Sequence, residues 1–117
     1  MVCVVACGTD VFARDVTACA YLDGYGSAST GRLISYEGFK LYTKCSKGKV
    51  IGKIWIKGTE SSSGYACLKS SKVKKGEDDT VNCSPAYESY GYGEIKNNNG
   101  IFTSSGRVDF TAFGYDY

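Results

Sequence analysis

The segment Ser35-Tyr36-Glu37-Gly38-Phe39 contains residue types that can recognise a nucleic-acid base. A tyrosine ring can stack on a base, and a neighbouring carboxylate can accept two hydrogen bonds from the N–H edge of guanine. The glycine permits a tight bend, and the phenylalanine returns the chain to the core. In this segment, which begins at Ser35, Tyr36 has the chemistry to stack on a base and Glu37 the chemistry to bind its N–H edge.

A lysine-rich segment follows this loop. Residues 40–75 carry ten lysines against one acid, Glu60, which gives a local balance of +9, whereas the rest of the chain has a balance of −7. Lysines near Tyr42 and Trp55 can follow a phosphate backbone, or they can simply solvate exposed strands. The candidate phosphate or partner surface comprises Lys40, Lys44, Lys47, Lys49, Lys53 and Lys57.

The chain of 117 residues contains no histidine, the side chain whose ordinary pKa suits proton transfer near neutral pH. Cleavage of RNA needs one group that accepts the 2′ proton and another that protonates the leaving oxygen. Glu37 or Glu60 could act with a lysine only if burial or positive neighbours strongly lowered the pKa of that lysine. We therefore expect no catalytic residue and no enzymatic activity.

The chain has six cysteines, and an even number in a short chain is typical of disulfide-bonded proteins from an oxidising compartment. The absence of histidine and of a Cys-x-x-Cys pair predicts no metal site, and nothing indicates a cofactor. Three bridges are one alternative, and a pair left as buried thiols is the other. The disulfide candidates are Cys3, Cys7, Cys19, Cys45, Cys67 and Cys83.

The hydrophobic pattern predicts one domain, residues 1–117, of the α+β class. Apolar residues at helical spacing after Asp10 predict a single N-terminal helix over residues 10–23, packed on a twisted antiparallel sheet. After the helix the period changes to two, which predicts strands, and Asn99-Gly100 predicts a hairpin. The predicted strands cover residues 39–42, 50–56, 65–68, 80–83, 93–95, 101–103 and 107–111, and the core candidates are Phe39, Leu41, Ile54, Val108 and Phe110.

The N-terminal motifs Cys3-x3-Cys7-Gly8 and Asp15-Val16, together with the Ser35–Phe39 segment, resemble the small fungal guanyl-specific ribonucleases. Gly31 stands where that family has a catalytic histidine, and Lys49 stands where it has a catalytic glutamate. The chain also resembles the histidine-poor, ribonuclease-like secreted effectors of powdery mildews. This resemblance implies a disulfide-stabilised microbial ribonuclease fold and a secreted, catalytically inactive virulence protein that can enter host plant cells. It would bind host RNA or a host protein, and plant immune receptors would recognise it.

Two other functions remain open from the sequence: an active ribonuclease or ribotoxin with unusual acid–base groups, and a cationic antimicrobial or killer-type toxin. No stretch approaches the roughly 18 apolar residues of a membrane span, so no membrane partner is expected. The chain is also expected to be a monomer. The tyrosines at positions 87, 90 and 92 either form a contact surface or pack over the edge of the sheet.

Overall fold

The computed structural model describes residues 2–3 and 15–114, and within these ranges the protein consists of β-strands joined by turns. Most strands alternate buried and exposed side chains, as expected when one face of a sheet packs on a core and the other meets solvent. The strands are β1 (Val2–Cys3), β2 (Val16–Gly24), β3 (Ser27–Ser29), β4 (Leu33–Ser35), β5 (Gly38–Lys47), β6 (Lys49–Gly58), β7 (Ala66–Lys74), β8 (Asp78–Cys83), β9 (Ser89–Asn97) and β10 (Ser104–Phe113).

The strands form two antiparallel sheets that pack face to face. The first sheet has the order β1-β2-β10-β5-β8, and the second has the order β3-β9-β6-β7, with β4 also paired to β9. If β3 and β4 count as one interrupted strand, consecutive strands repeatedly change sheets, which is the topology of a jelly roll. The fold is therefore an all-β sandwich, and the prediction of an α+β fold is wrong.

The predicted N-terminal helix is contradicted where the structure describes it. Residues 16–24 form β2, which pairs with β10 along its whole length, while residues 10–14 lie outside the described ranges. Ala18, Ala20 and Leu22 all face the core. These positions recur with a period of two, whereas the helical prediction rested on the i, i+3, i+4 spacing of Val16, Cys19 and Ala20. A short apolar run of this kind contains both spacings, so the local pattern did not distinguish them. Pairing with a distant strand selected the extended form.

The core lies between the two sheets and contains all five predicted residues, each fully buried. Phe39 and Phe110, from neighbouring strands of the first sheet, stack with their ring centroids 5.1 Å apart. Opposite them, Gly91 and Gly93 of β9 leave the space that these rings occupy, since an added Cβ at Gly91 would lie 2.9 Å from Phe110 Cζ. Bulky residues from one sheet thus interlock with glycines of the other.

The predicted hairpin at Asn99-Gly100 is wrong, although a turn does occur there. β9 belongs to the second sheet and β10 to the first, so this turn carries the chain across the sandwich. The turn at Gly48 does the same between β5 and β6. A strand with alternating apolar residues buries the same face whether its neighbour in sequence lies beside it or opposite it. The local pattern therefore could not specify which strands pair.

Full pairing of the six cysteines is not observed. Cys19 is disulfide-bonded, whereas Cys45, Cys67 and Cys83 are free thiols. Burial raises the pKa values of the Cys45 and Cys83 thiols, and Cys67 is exposed on β7.

We expect iodoacetamide to modify Cys67 of the native protein well before Cys45 or Cys83. The thiolate is the reacting form, and burial both disfavours it and blocks access to it. Mass spectrometry after limited alkylation measures the order of modification, and the unfolded protein is the control, in which Cys45, Cys67 and Cys83 should all react. Equal native rates would show that Cys45 and Cys83 are accessible.

Candidate functional site

Ser35 of the predicted base-binding loop is a buried structural residue. Its hydroxyl donates a hydrogen bond of 2.5 Å to the Phe113 carbonyl and accepts bonds of 3.0 Å from the N–H groups of Glu37 and Gly38. Gly38 has a φ of +142°, and an added Cβ there would lie 2.8 Å from the carbonyl oxygen of Cys83. These contacts fix the turn between β4 and β5, and they leave the Ser35 hydroxyl without a free donor.

Tyr36 and Glu37 are both exposed, but their side chains lie in different environments. The Tyr36 ring, 67% exposed, lines a cleft of about 600 Å³ at one end of the sandwich. The Glu37 carboxylate instead lies against Gly114, where an added Cβ would be 2.6 Å from Glu37 Cδ. The structure therefore does not bring the two groups together in the cleft as a stacking and base-reading pair.

The cleft is formed by three inter-strand loops and has an acidic, aromatic lining. Interaction with the Glu88 carboxylate raises the pKa of Tyr36, and Glu88 also accepts a hydrogen bond of 3.0 Å from the Thr59 hydroxyl. Its lining residues are Tyr36, Gly58, Thr59, Glu60, Ser61, Tyr87 and Glu88. Since two carboxylates and no basic side chain line this cleft, it is unfavourable for a phosphate group.

The six candidate lysines do not form one surface. β5 and β6 belong to different sheets, so the outward side chains of Lys40 and Lys44 lie on one side of the sandwich and those of Lys53 and Lys57 on the other. Lys47 and Lys49 flank the turn at Gly48 that joins the two strands. The lysine-rich segment thus divides between two opposite faces.

The outer face of the second sheet gathers a larger set of basic and aromatic side chains, which we call the basic aromatic face. Strand register places its members beside one another: Lys53 pairs with Glu94, Trp55 with Tyr92, and Lys57 with Tyr90. The face comprises Arg32, Lys49, Lys53, Trp55, Lys57, Tyr65, Lys72, Lys74, Tyr90, Tyr92, Glu94 and Lys96.

The aromatic rings of this face are in contact. Trp55 stacks on Tyr92 with centroids 6.2 Å apart and planes inclined by 13°, and Tyr65 meets the edge of Tyr92 at 4.9 Å. The Trp55 indole N–H donates a 3.1 Å hydrogen bond to Glu94 Oε1, which fixes the ring. Burial and the Glu94 carboxylate raise the pKa of Tyr92. The result is a fixed, half-buried aromatic platform.

Basic groups border this platform on several sides. The Arg32 guanidinium lies 4.1 Å from the centroid of the Tyr90 ring, and the Lys53 ammonium lies 5.8 Å from that of Trp55. Seven basic side chains on the face stand against one carboxylate, Glu94, which is already bonded to Trp55. Such an excess attracts polyanions.

The outer face of the first sheet is nearly balanced in charge by comparison. Four outward cations stand against three carboxylates, and Arg107–Asp109, at 3.4 Å, is the one ion pair within residues 15–114. Asp78 accepts a 3.0 Å hydrogen bond from Tyr42, and Asp23 accepts one of 2.7 Å from Ser105. The cations are Lys40, Lys44, Lys47 and Arg107, and the carboxylates are those of Asp23, Asp78 and Asp109.

Sequence reasoning singled out Trp55 and the Lys49–Lys57 side of this face, and it offered Tyr90 and Tyr92 as one possible contact surface, but it did not place these tyrosines beside Trp55. The missed signal is the alternation Tyr90-Gly91-Tyr92-Gly93-Glu94-Ile95-Lys96, in which the large polar and aromatic residues share one face. Tyr90 and Tyr92 therefore form part of a surface, whereas Tyr87 lies at the end of the sandwich.

Within the described ranges, no group of three or more histidine, cysteine, aspartate or glutamate side chains is placed to hold a metal ion. Those ranges also include no helix of the length and hydropathy needed to cross a membrane.

Comparison with known proteins gives a fold and no family. The sequence matches no protein-family profile and no curated protein. Among solved structures, the chain is similar to the mitogen derived from Yersinia pseudotuberculosis, with 15% identity over 91% of this chain and 92% of that one and a TM-score of 0.51. It is equally similar to PirA, with 15% identity over 91% of this chain and 96% of that one and a TM-score of 0.51.

These likenesses overturn the resemblance to ribonucleases. The similar structures are all-β jelly-roll-like proteins, in agreement with the two-sheet topology and with the strand found where the resemblance implied a helix. The short motif at Ser35–Phe39 forms a strand end and a turn in a different architecture. The chain therefore belongs, by structure, to the jelly-roll-like sandwiches rather than to the ribonuclease-like folds.

Proposed function

We propose that this chain is a non-catalytic protein that binds single-stranded RNA through its basic aromatic face. The observation that carries the proposal is the Trp55–Tyr92 stack set among seven basic side chains with one carboxylate. Single-stranded nucleic acids bind to surfaces that combine aromatic rings, on which bases stack, with cations that follow the backbone. The disulfide at Cys19 further supports a secreted protein, because disulfides persist in oxidising compartments.

The geometry favours a single strand over a duplex. Trp55 and Tyr92 offer ring surface on a sheet face, and a base can reach such a surface only when it is not paired and stacked within a helix. Basic side chains flank the ring pair along the strands, with Lys53 and Lys96 towards one end and Lys57 and Arg32 towards the other. A strand crossing the sheet would therefore place bases on the rings and phosphates near the cations.

Titration of the protein with a fluorescent single-stranded RNA at two salt concentrations tests the proposal. We expect binding that weakens steeply with salt, little binding to the matching duplex, and no cleavage of the RNA. Lys53→Gln/Lys57→Gln should weaken binding by about tenfold at low salt. It should also reduce the slope of log affinity against log salt by about 1.4, since each phosphate contact on a single strand contributes roughly 0.7.

Lys40→Gln/Lys44→Gln is the matched control for the lysine variant. It removes the same charge from the opposite face, and Lys40, like Lys53, lies 5.8 Å from an aromatic ring. This control should bind RNA nearly as well as the parent protein. An equal loss in both variants would show that binding follows net charge alone, and cleavage that survives repurification would overturn the non-catalytic proposal.

A protein partner is the second candidate, and the cleft at the end of the sandwich favours it. Tyr36 and Tyr87 line this cleft with 67% and 65% of their surfaces exposed, and tyrosine is enriched at protein interfaces. Affinity capture with the parent chain and with Tyr36→Ala/Tyr87→Ala tests this function. A partner that binds both chains equally would exclude the cleft as its binding site.

A further inference from the structure

The end of the sandwich opposite the cleft carries an exposed apolar tip, formed by Tyr25, Ile101 and Phe102. Ile101 and Phe102 stand in the loop between β9 and β10 with 81% and 64% of their surfaces exposed. Tyr25, in the turn between β2 and β3, is 65% exposed. Ile101 is the most exposed large hydrophobic residue in the part of the chain that the structure describes.

The loop that bears the tip has a well-defined backbone. The Phe102 N–H donates a 3.0 Å hydrogen bond to the Asn99 carbonyl, and the Asn97 side-chain amide donates one of 2.9 Å to the Phe102 carbonyl. The Tyr25 hydroxyl donates a 2.8 Å bond to the Ile101 carbonyl, which ties the two turns together. These bonds hold the backbone in place while the apolar side chains of Ile101 and Phe102 remain in solvent. Burial in a partner would release the water that covers them.

Lysines surround the tip. The turn at Gly48 packs against the loop between β9 and β10, because the Asn98 N–H donates a 2.9 Å hydrogen bond to the Lys49 carbonyl. The Lys75 N–H donates a 2.9 Å hydrogen bond to the Gly48 carbonyl, so the turn between β7 and β8 packs against the turn at Gly48. The lysines of these turns and of the adjoining end of β9 are Lys47, Lys49, Lys74, Lys75 and Lys96.

The four carboxylates at this end are fewer than the five lysines, and each of them accepts a hydrogen bond. Glu77 accepts a hydrogen bond of 3.2 Å from the Lys74 N–H, and Asp23 accepts one from Ser105. Asp78 and Asp79, at the start of β8, accept hydrogen bonds from Tyr42 and Ser71. The lysines next to the loop, by contrast, form no ion pair among the described residues.

We propose that the apolar tip inserts into the interface of an anionic lipid bilayer, with the neighbouring lysines against the lipid headgroups. Apolar side chains that enter the boundary between headgroups and acyl chains, together with lysines that meet anionic headgroups, are the two contributions to peripheral membrane binding. A protruding loop with two adjacent apolar residues and a lysine-rich base supplies both. This site departs from the expectation of no membrane partner. It shares Lys49, Lys74 and Lys96 with the basic aromatic face, whereas its apolar residues lie outside that face.

Cosedimentation with lipid vesicles tests the proposal. We expect the protein to bind vesicles of equal parts phosphatidylserine and phosphatidylcholine and to bind pure phosphatidylcholine far more weakly. Ile101→Ser/Phe102→Ser should weaken binding by about tenfold or more, since each apolar side chain would lose its burial in the interface. Leu68→Ser/Tyr87→Ser, which removes two exposed apolar side chains elsewhere, should leave vesicle binding unchanged.

Insertion itself is measured by fluorescence quenching. In a Trp55→Phe background, Phe102→Trp should be quenched by lipids brominated on the acyl chains, and Tyr87→Trp at the opposite end should not be. Binding without quenching at position 102, or binding that survives the double serine change, would overturn insertion of the tip. If the protein binds no vesicles and instead self-associates through the tip, the proposal of membrane binding would be overturned. The tip would then be a contact site for a second copy of the chain.

The vesicle and RNA results are separable. Ile101→Ser/Phe102→Ser should bind RNA as the parent does, because neither residue lies on the basic aromatic face. Loss of RNA binding in this variant would show that the two surfaces act as one and would contradict two separate sites.

Discussion

Replacing Trp55 with alanine is expected to weaken binding of single-stranded RNA by roughly tenfold to a hundredfold. Stacking of one base on an aromatic side chain contributes about 1–3 kcal/mol, and alanine removes both the Trp55 surface and its support of Tyr92. Glu94 would also lose its indole donor, which leaves an unpaired carboxylate among the phosphates. Fluorescence titration with a labelled RNA measures the loss.

Two variants give this experiment its controls. Trp55→Phe keeps a ring on the face, so it should recover most of the affinity, while Tyr21→Ala removes an exposed ring from the outer face of the first sheet and should have no effect. The emission of Trp55, the single tryptophan, should also fall when RNA binds to the parent protein. Unchanged affinity in Trp55→Ala would exclude base stacking on this face.

Phe110→Ala is expected to lower the free energy of unfolding by about 3–5 kcal/mol. Phe110 is fully buried, stacks on Phe39, and fills the space that Gly91 and Gly93 leave in the facing sheet. Its removal opens a cavity where the two sheets meet, and the glycines opposite carry no side chains that could fill it. Because domains are stable by only about 5–15 kcal/mol, this is a large share of the total.

Denaturant unfolding of Phe110→Ala and of Phe102→Ala measures this difference. Phe102 is 64% exposed, so the same chemical change at that position should alter stability by no more than about 0.5 kcal/mol. A small loss in Phe110→Ala would mean that the facing sheet moves inward and closes the cavity. Equal losses in both variants would contradict the assigned core.

The core glycines illustrate how far the sequence could specify the fold. Alternating residues in the segments around Phe39 and Ile54 predicted strands and predicted which side chains are buried, because side-chain direction in a strand has a period of two. Gly91 and Gly93 belong to the same alternation, yet the need for glycine at these positions depends on Phe110 of the other sheet. An added Cβ at Gly93 would lie 3.1 Å from Phe110 Cβ. That contact exists only once the sheets face each other.

The candidate sites show the same limit. The sequence identified Tyr36 and Glu37 as neighbours along the chain, but the turn at Ser35 and Gly38 sends their side chains to different places. It also treated Lys40 and Lys53 as one surface, whereas they lie on opposite faces. Closeness in sequence was a poor guide because neighbouring side chains diverge at a turn and because the chain changes sheets between β5 and β6.

Composition, the absence of histidine, the uneven charge, several strand positions and the five core candidates followed from the sequence alone, since all of these depend on residue type or on short-range periodicity. The tertiary structure decided that residues 16–24 form a strand and that β9 pairs with β6 instead of β10. It also placed Arg32, Trp55 and Tyr92 on one surface. Each of these outcomes depends on hydrogen bonds or packing between segments far apart in the chain, and local patterns carry no record of such partners.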